Sequence, residues 1–120
     1  MSHWVQIKTE VKDLTALAAA CRELGCQFVA KGPGRYDRDR IDVPGVPYPV
    51  YVDKTATGYT LRIESDFTSG YAAKLGPNCG KLMQLYGVHK VLAEAKRKGW
   101  AASRVTLPGG SVNVTINAGV

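Results

Sequence analysis

His3-Trp4-Val5-Gln6-Ile7-Lys8-Thr9-Glu10-Val11 runs, after Lys12, into Asp13-Leu14-Thr15-Ala16-Leu17-Ala18-Ala19-Ala20-Cys21-Arg22-Glu23-Leu24-Gly25, and the change of period between these stretches decides the fold class. The first alternates. His3, Val5, Ile7, Thr9 and Val11 fall on one face and Trp4, Gln6, Lys8 and Glu10 on the other, the pattern of a strand. In the second, Leu14, Leu17, Ala18, Cys21 and Leu24 recur at helical spacing, Asp13 is placed to cap the first turn, and Gly25 is a left-handed stop. A strand and a helix that are each apolar on one side must bury those sides together.

Working outward, residues 26–30 read as a second strand. Lys31-Gly32-Pro33-Gly34-Arg35-Tyr36-Asp37-Arg38-Asp39-Arg40 and the passage through Pro44, Pro47 and Pro49 read as one exposed connection, because glycine and proline interrupt regular elements and the charges resist burial. Residues 50–52 and 59–64 predict two strands around Ala56-Thr57-Gly58, with Tyr59, Leu61 and Ile63 inward. After a turn near Ser69-Gly70, the spacing of Leu82, Leu85, Tyr86, His89 and Leu92 predicts a helix over 78–98, ended by Gly99. Residues 104–107 and 112–116 flank Pro108-Gly109-Gly110-Ser111, the turn chemistry of a hairpin.

The predicted order is therefore strand, helix, strand, strand, strand, helix, strand, strand. Two amphipathic helices on one face of a mainly antiparallel sheet make an α+β two-layer sandwich related to the ferredoxin-like arrangement. The other face, carrying Trp4, Gln6, Lys8, Thr60, Arg62 and Glu64, is expected to meet water or a second copy of the chain.

At 120 residues and 45% hydrophobic, the chain is sized for a single domain with one core. It has no apolar run near the roughly 18 residues of a membrane span, and its start lacks the basic and apolar regions of a signal peptide. The expectation is a soluble, cytoplasmic protein without membrane contact. Its three cysteines have no metal-ribbon spacing and are expected to be free thiols, with Cys21 on the apolar stripe of its helix.

The net charge of +6 is unevenly placed. Lys74, Lys81, Lys90, Lys96, Arg97 and Lys98 are opposed between residues 74 and 98 by Glu94 alone. Such an excess favours anionic partners. Lys96, Arg97 and Lys98 also sit at a helix end, where cations complement the dipole.

Ser2-His3-Trp4, Ile7-Lys8-Thr9, the capped helix from Asp13 to Gly25, and Leu85-Tyr86-Gly87-Val88-His89-Lys90-Val91 followed by Ala95-Lys96-Arg97-Lys98-Gly99-Trp100 carry a resemblance. They resemble the small-protein family typified by the conserved plastid hypothetical reading frame thirty-five, a domain of unknown function found in cyanobacteria, chloroplast genomes, other bacteria and some phages. Family members usually have phenylalanine where this chain has Trp4. The Lys31–Pro49 segment has no counterpart in that pattern. The resemblance implies relatives and a fold but no mechanism. Its phage members imply one use, sequestration of a host immune nucleotide signal in the host cytoplasm.

Several residues invite chemistry. His3 shares strand parity with Val5 and Ile7, and His89 shares helical phase with Tyr86, so His3, Tyr86 and His89 could meet in one layer, and Lys8, on the other strand face, is a further ligand-binding candidate. They could then hold a phosphate or base, or do acid–base work. Taken singly, either histidine is better read as anchoring a strand to a helix; the pair in one site fits either role. Lys31 and Arg35 flank exposed glycine amides, and Tyr36, Arg38 and Arg40 add a stacking ring and fork-shaped donors, a composition suited to an anion. The same loop could instead neutralise itself through Asp37 and Asp39.

There is no His-Glu-x-x-His array, nucleophile elbow or phosphate loop, and no ligand pair with zinc spacing, so no catalytic residue, metal or cofactor is expected. Glu64 and Asp66 share a predicted strand face, where two carboxylates are usually surface residues. The expected function is non-enzymatic binding of a small anionic ligand of nucleotide type. The alternative is an accessory protein or homo-oligomer docking through Trp4 on its open sheet face. Nucleic acid follows from charge alone, without a motif.

Overall fold

The computed structural model describes residues 4–31 and 38–117, with Lys8 and Thr9 described by their backbone alone. The elements are β1 (Trp4–Val11), α1 (Leu14–Glu23), β2 (Gln27–Val29), β3 (Asp39–Asp42), β4 (Val50–Lys54), β5 (Tyr59–Glu64), α2 (Thr68–Leu75), α3 (Gly80–Arg97), β6 (Ala101–Thr106) and β7 (Val112–Asn117). Single 3-10 turns at Ser65–Phe67 and Pro77–Cys79 flank α2. The architecture is the expected α+β sandwich.

The main sheet has five antiparallel strands in the order β1-β5-β4-β3-β2. A meander from β2 to β5 brings β5 back beside β1, so α1 connects the two edge strands. Asp13 caps α1 by accepting from the Thr15 and Ala16 amides. Ile7, Val11, Ile41, Val50, Val52, Leu61 and Ile63 of the sheet pack against Leu17, Ala20 and Cys21 of α1 and Leu82, Leu85 and Tyr86 of α3 in one core. Val5, opposite Ile63, lies at the sheet edge and is 43% exposed.

Three elements depart from the sequence reading. β3 is a strand where a connection was expected, because Ile41 is fully buried and Asp39, also buried, accepts a 2.7 Å hydrogen bond from the Lys31 amide. That bond offsets part of the cost of taking a carboxylate inside. Residues 68–75 form a separate helix, α2. The next helix starts at Gly80, two residues later than the periodicity predicts, because Asn78 and Cys79 are left-handed (φ 52° and 60°). Asp66 lies in the turn after β5, and Glu64 ends β5 as a buried cap accepting from the Asp66 amide.

The hairpin of β6 and β7 is a sheet of its own. It packs against α3 on the face carrying Gly87, Val91 and Ala95, which lie with Trp100 and Ile116 around a shallow cleft. Among the described residues no helix is long and apolar enough to cross a membrane.

Candidate functional site

Strand register builds the site. Gln6, Arg62, Tyr51, Arg40 and Val29 stand opposite one another in turn, a single row across all five strands on the face that the helices leave open. Trp4 and Asp53 share that face by strand alternation. Here the side chains interleave cations and rings.

The Arg62 guanidinium lies 5.3 Å from the Trp4 ring centre and 5.2 Å from that of Tyr51. The two rings are 5.0 Å apart. Arg38 lies over Tyr51 at 5.2 Å. The result is a ladder of Trp4, Arg62, Tyr51 and Arg38, extended at the Trp4 end by Tyr48 and Phe67, with ring centres at 6.1 and 5.5 Å. Cation–π attraction of this kind contributes on the order of 1 kcal/mol per pair. Asp53 fixes the ladder from the side: Arg62 donates to it from Nε at 2.8 Å and from a terminal nitrogen at 3.3 Å, and Arg38 approaches it at 3.9 Å. One step along β3, Arg40 donates to Asp42 at 3.1 Å.

The ladder opens at its Arg38 end into a cleft of about 490 Å³, where Lys31, Arg38 and Lys54 meet Asp53 and Tyr59. Tyr59 and Leu14 also line a second cleft, of about 460 Å³, with Lys12, Lys90 and Arg97. The two clefts adjoin at Leu14 and Tyr59; the second also carries Asp13 and Glu94, and Glu94 pairs with Arg97. Of the acids in the first cleft, Asp53 is paired with Arg62 and Asp39 keeps its charge while accepting from the Lys31 amide, so Lys31, Arg38 and Lys54 leave the cleft with an excess of positive charge.

The residues singled out in the sequence divide into three groups. Lys31 and Arg38 come together in the first cleft, with Arg40 beside them on the open face. Tyr86 and His89 lie in the helical layer and take other work. The Tyr86 hydroxyl accepts from the Lys12 and Asp13 amides at 2.9 and 3.2 Å, pinning the start of α1 to α3. His89 Nε2 donates to Glu23 of α1 at 2.6 Å, and Arg104 of β6 pairs with the same carboxylate. The sheet lies between Arg40, on its open face, and Tyr86 and His89 in the helical layer. His3, Arg35, Tyr36 and the Lys8 side chain lie outside the described residues.

Trp4, expected on the open sheet face as an interface anchor, lies on that face and is partly buried in the ladder. Tyr51, Asp53, Lys54 and Tyr59 were not singled out as site residues. Strand parity signalled that Tyr51 and Asp53 share a face, but their neighbours across the sheet are set by register.

The three thiols stand apart from this surface. All are buried, and burial pushes Cys21 up to about 12 and Cys79 up to about 11, with Cys26 raised for the same reason. At neutral pH they stay protonated and poorly nucleophilic. Among the described residues no group of three His, Cys, Asp or Glu side chains could hold a metal ion. Comparison with models of protein families, with curated proteins and with solved structures finds no match to this chain.

Proposed function

We propose that the protein is a non-enzymatic binding module for a small anionic ligand of nucleotide type, held where the ladder meets the cationic cleft. Arg38 is the observation that carries this reading: its guanidinium lies over Tyr51 and also lines the cleft with Lys31 and Lys54. A nucleotide has the same two parts in the same order, a flat base and a charged phosphate separated by one sugar. A base stacked on the ladder would set its phosphate among the three cations, where guanidinium and ammonium groups make charge-assisted hydrogen bonds. Sequestration, the use implied by the family resemblance, needs affinity of this kind without reaction.

The test is thermal denaturation with nucleotides, nucleosides and inorganic phosphate, followed by calorimetry on the best compound. At a hundredfold excess over Kd a ligand stabilises by about 2.7 kcal/mol, a rise in Tm on the order of 10 °C for a domain of this size. Nucleotides are expected to exceed both of their halves, and Arg38→Ala or Tyr51→Ala to weaken binding about tenfold each. A melting point indifferent to every phosphate-bearing compound would remove the proposal.

A further inference from the structure

Among the described residues no strand pairs with the outer edge of β7 in the β6–β7 hairpin. Its register sets Ala102, Arg104 and Thr106 with Val112, Val114 and Ile116 toward α3, and Ala101, Ser103 and Val105 with Asn113, Thr115 and Asn117 away from it. β6 is drawn toward α1 by the Arg104–Glu23 pair, so β7 forms the opposite edge. Proteins usually guard such edges with charges, proline or bulges. β7 has none of these: Val112-Asn113-Val114-Thr115-Ile116-Asn117 is uncharged, alternates regularly and pairs with β6 in unbroken register.

Charge identifies the occupant. The chain has 16 Lys and Arg and 10 Asp and Glu, and beyond residue 99 only Arg104 is among them, already paired with Glu23. Two copies with net charge +6 repel over most of their surfaces and approach most easily where charge is missing. Exposed apolar groups gather in the same place. Val91, Trp100, Val105 and Leu107, each at least 38% exposed, lie on the hairpin or on the neighbouring face of α3. A largely apolar cleft of about 460 Å³ opens at the hairpin base between Trp100, Ile116, Val91 and Ala95, with Lys90 and Glu94 also lining it and the Lys98 ammonium 4.7 Å from the Trp100 ring centre.

We propose that β7 is the surface through which two copies of this chain join, antiparallel about a two-fold axis, making one four-stranded sheet from two hairpins. A strand paired with itself in this way offers the same donors and acceptors to both partners, as a two-fold interface requires. Antiparallel pairing also brings the tip of one hairpin, with Leu107, toward the base of the other, where the apolar cleft lies. A six-residue edge alone buries less than the roughly 1,200 Å² of a stable interface, and the apolar groups around the cleft supply the remainder. This surface is separate from the open face of the main sheet that carries Trp4.

Light scattering and native mass spectrometry of the full chain test the idea. The expected result is a dimer, weakened at least about tenfold by Asn113→Lys or Thr115→Lys, which set like charges face to face near the axis. Both positions are exposed in the protomer, so circular dichroism and Tm measured on the dissociated chain should not change. Thr115→Ser should leave the dimer intact. Hydrogen exchange supplies a second readout: β7 amides should slow as protein concentration rises, and β6 amides should not. A wild-type monomer at every attainable concentration overturns the proposal. So does a dimer that tolerates both lysines, or one that Trp4→Ala separates instead.

Discussion

Glu23 gathers three elements on one carboxylate. It ends α1, accepts from His89 of α3, and pairs with Arg104 of β6. The hydrogen bond from Arg104 is the main influence holding this carboxyl below its ordinary value of 4.5; partial desolvation opposes it and the His89 hydrogen bond adds to it. A carboxyl whose folded pKa is depressed stabilises the fold fully above its unfolded pKa and loses that contribution as pH falls through the folded one. The side chains involved are 24% to 33% exposed, so solvent screening limits the cluster to about 1 kcal/mol. Glu23→Gln should therefore lower the urea midpoint at pH 6, and the gap between variant and wild type should close as the solution is acidified below 4.5. A gap that persists undiminished at the acid end would show that the substitution acts through packing. His89, which attracts attention in the sequence as a possible ligand, is occupied here in tying α3 to α1.

The turn between β4 and β5 illustrates how one element constrains the next. Thr55 closes it by accepting from the amides of Thr57 and Gly58. A Cβ placed on Gly58 would stand 2.5 Å from the Val11 carbonyl oxygen, because the turn folds tightly against the end of β1, where the β1–β5 register shifts. Gly58→Ala should cost about 1–3 kcal/mol through forced backbone movement, read as a lower urea midpoint. A neutral result would mean that β1 can move aside.

Other elements differ in how far the sequence revealed them. α1 was legible in full because its apolar spacing, Asp13 cap and Gly25 stop agree. β3 was hidden because three of its four residues, Asp39, Arg40 and Asp42, are charged, and the hydrogen bond that permits the burial of Asp39 comes from Lys31, eight positions away. The start of α3 was misplaced because periodicity continues through Asn78 and Cys79 while their backbone does not. The Trp4, Arg62, Tyr51 and Arg38 ladder follows from alternation plus register. Alternation is in the sequence, whereas the register that sets Tyr51 between Arg62 and Arg40 is decided by the whole sheet.

Across the whole molecule, the main sheet, the helices and the hairpin follow one another, and this order separates the two proposed surfaces. The ladder and its cleft lie at the sheet and its end; the β7 edge lies beyond α3. Communication between them would need an element with two arrangements that both sites bias. What joins them instead is the packed core around Leu17, Leu82 and Leu85 and the bonds of Tyr86 to the start of α1. A close-packed core of this kind favours one arrangement. Ligand binding and self-association should then be uncoupled. Calorimetry should give one ligand per chain with a Hill coefficient of about 1, and Thr115→Lys should keep the wild-type ligand Kd within about twofold while releasing monomers. Arg38→Ala should lose ligand and keep its subunit number. Because linkage is reciprocal, coupling seen in either direction must appear in both. A ligand affinity that changes with subunit number would show that the helical layer transmits between the faces, and the placement of the two sites as independent would have to be abandoned.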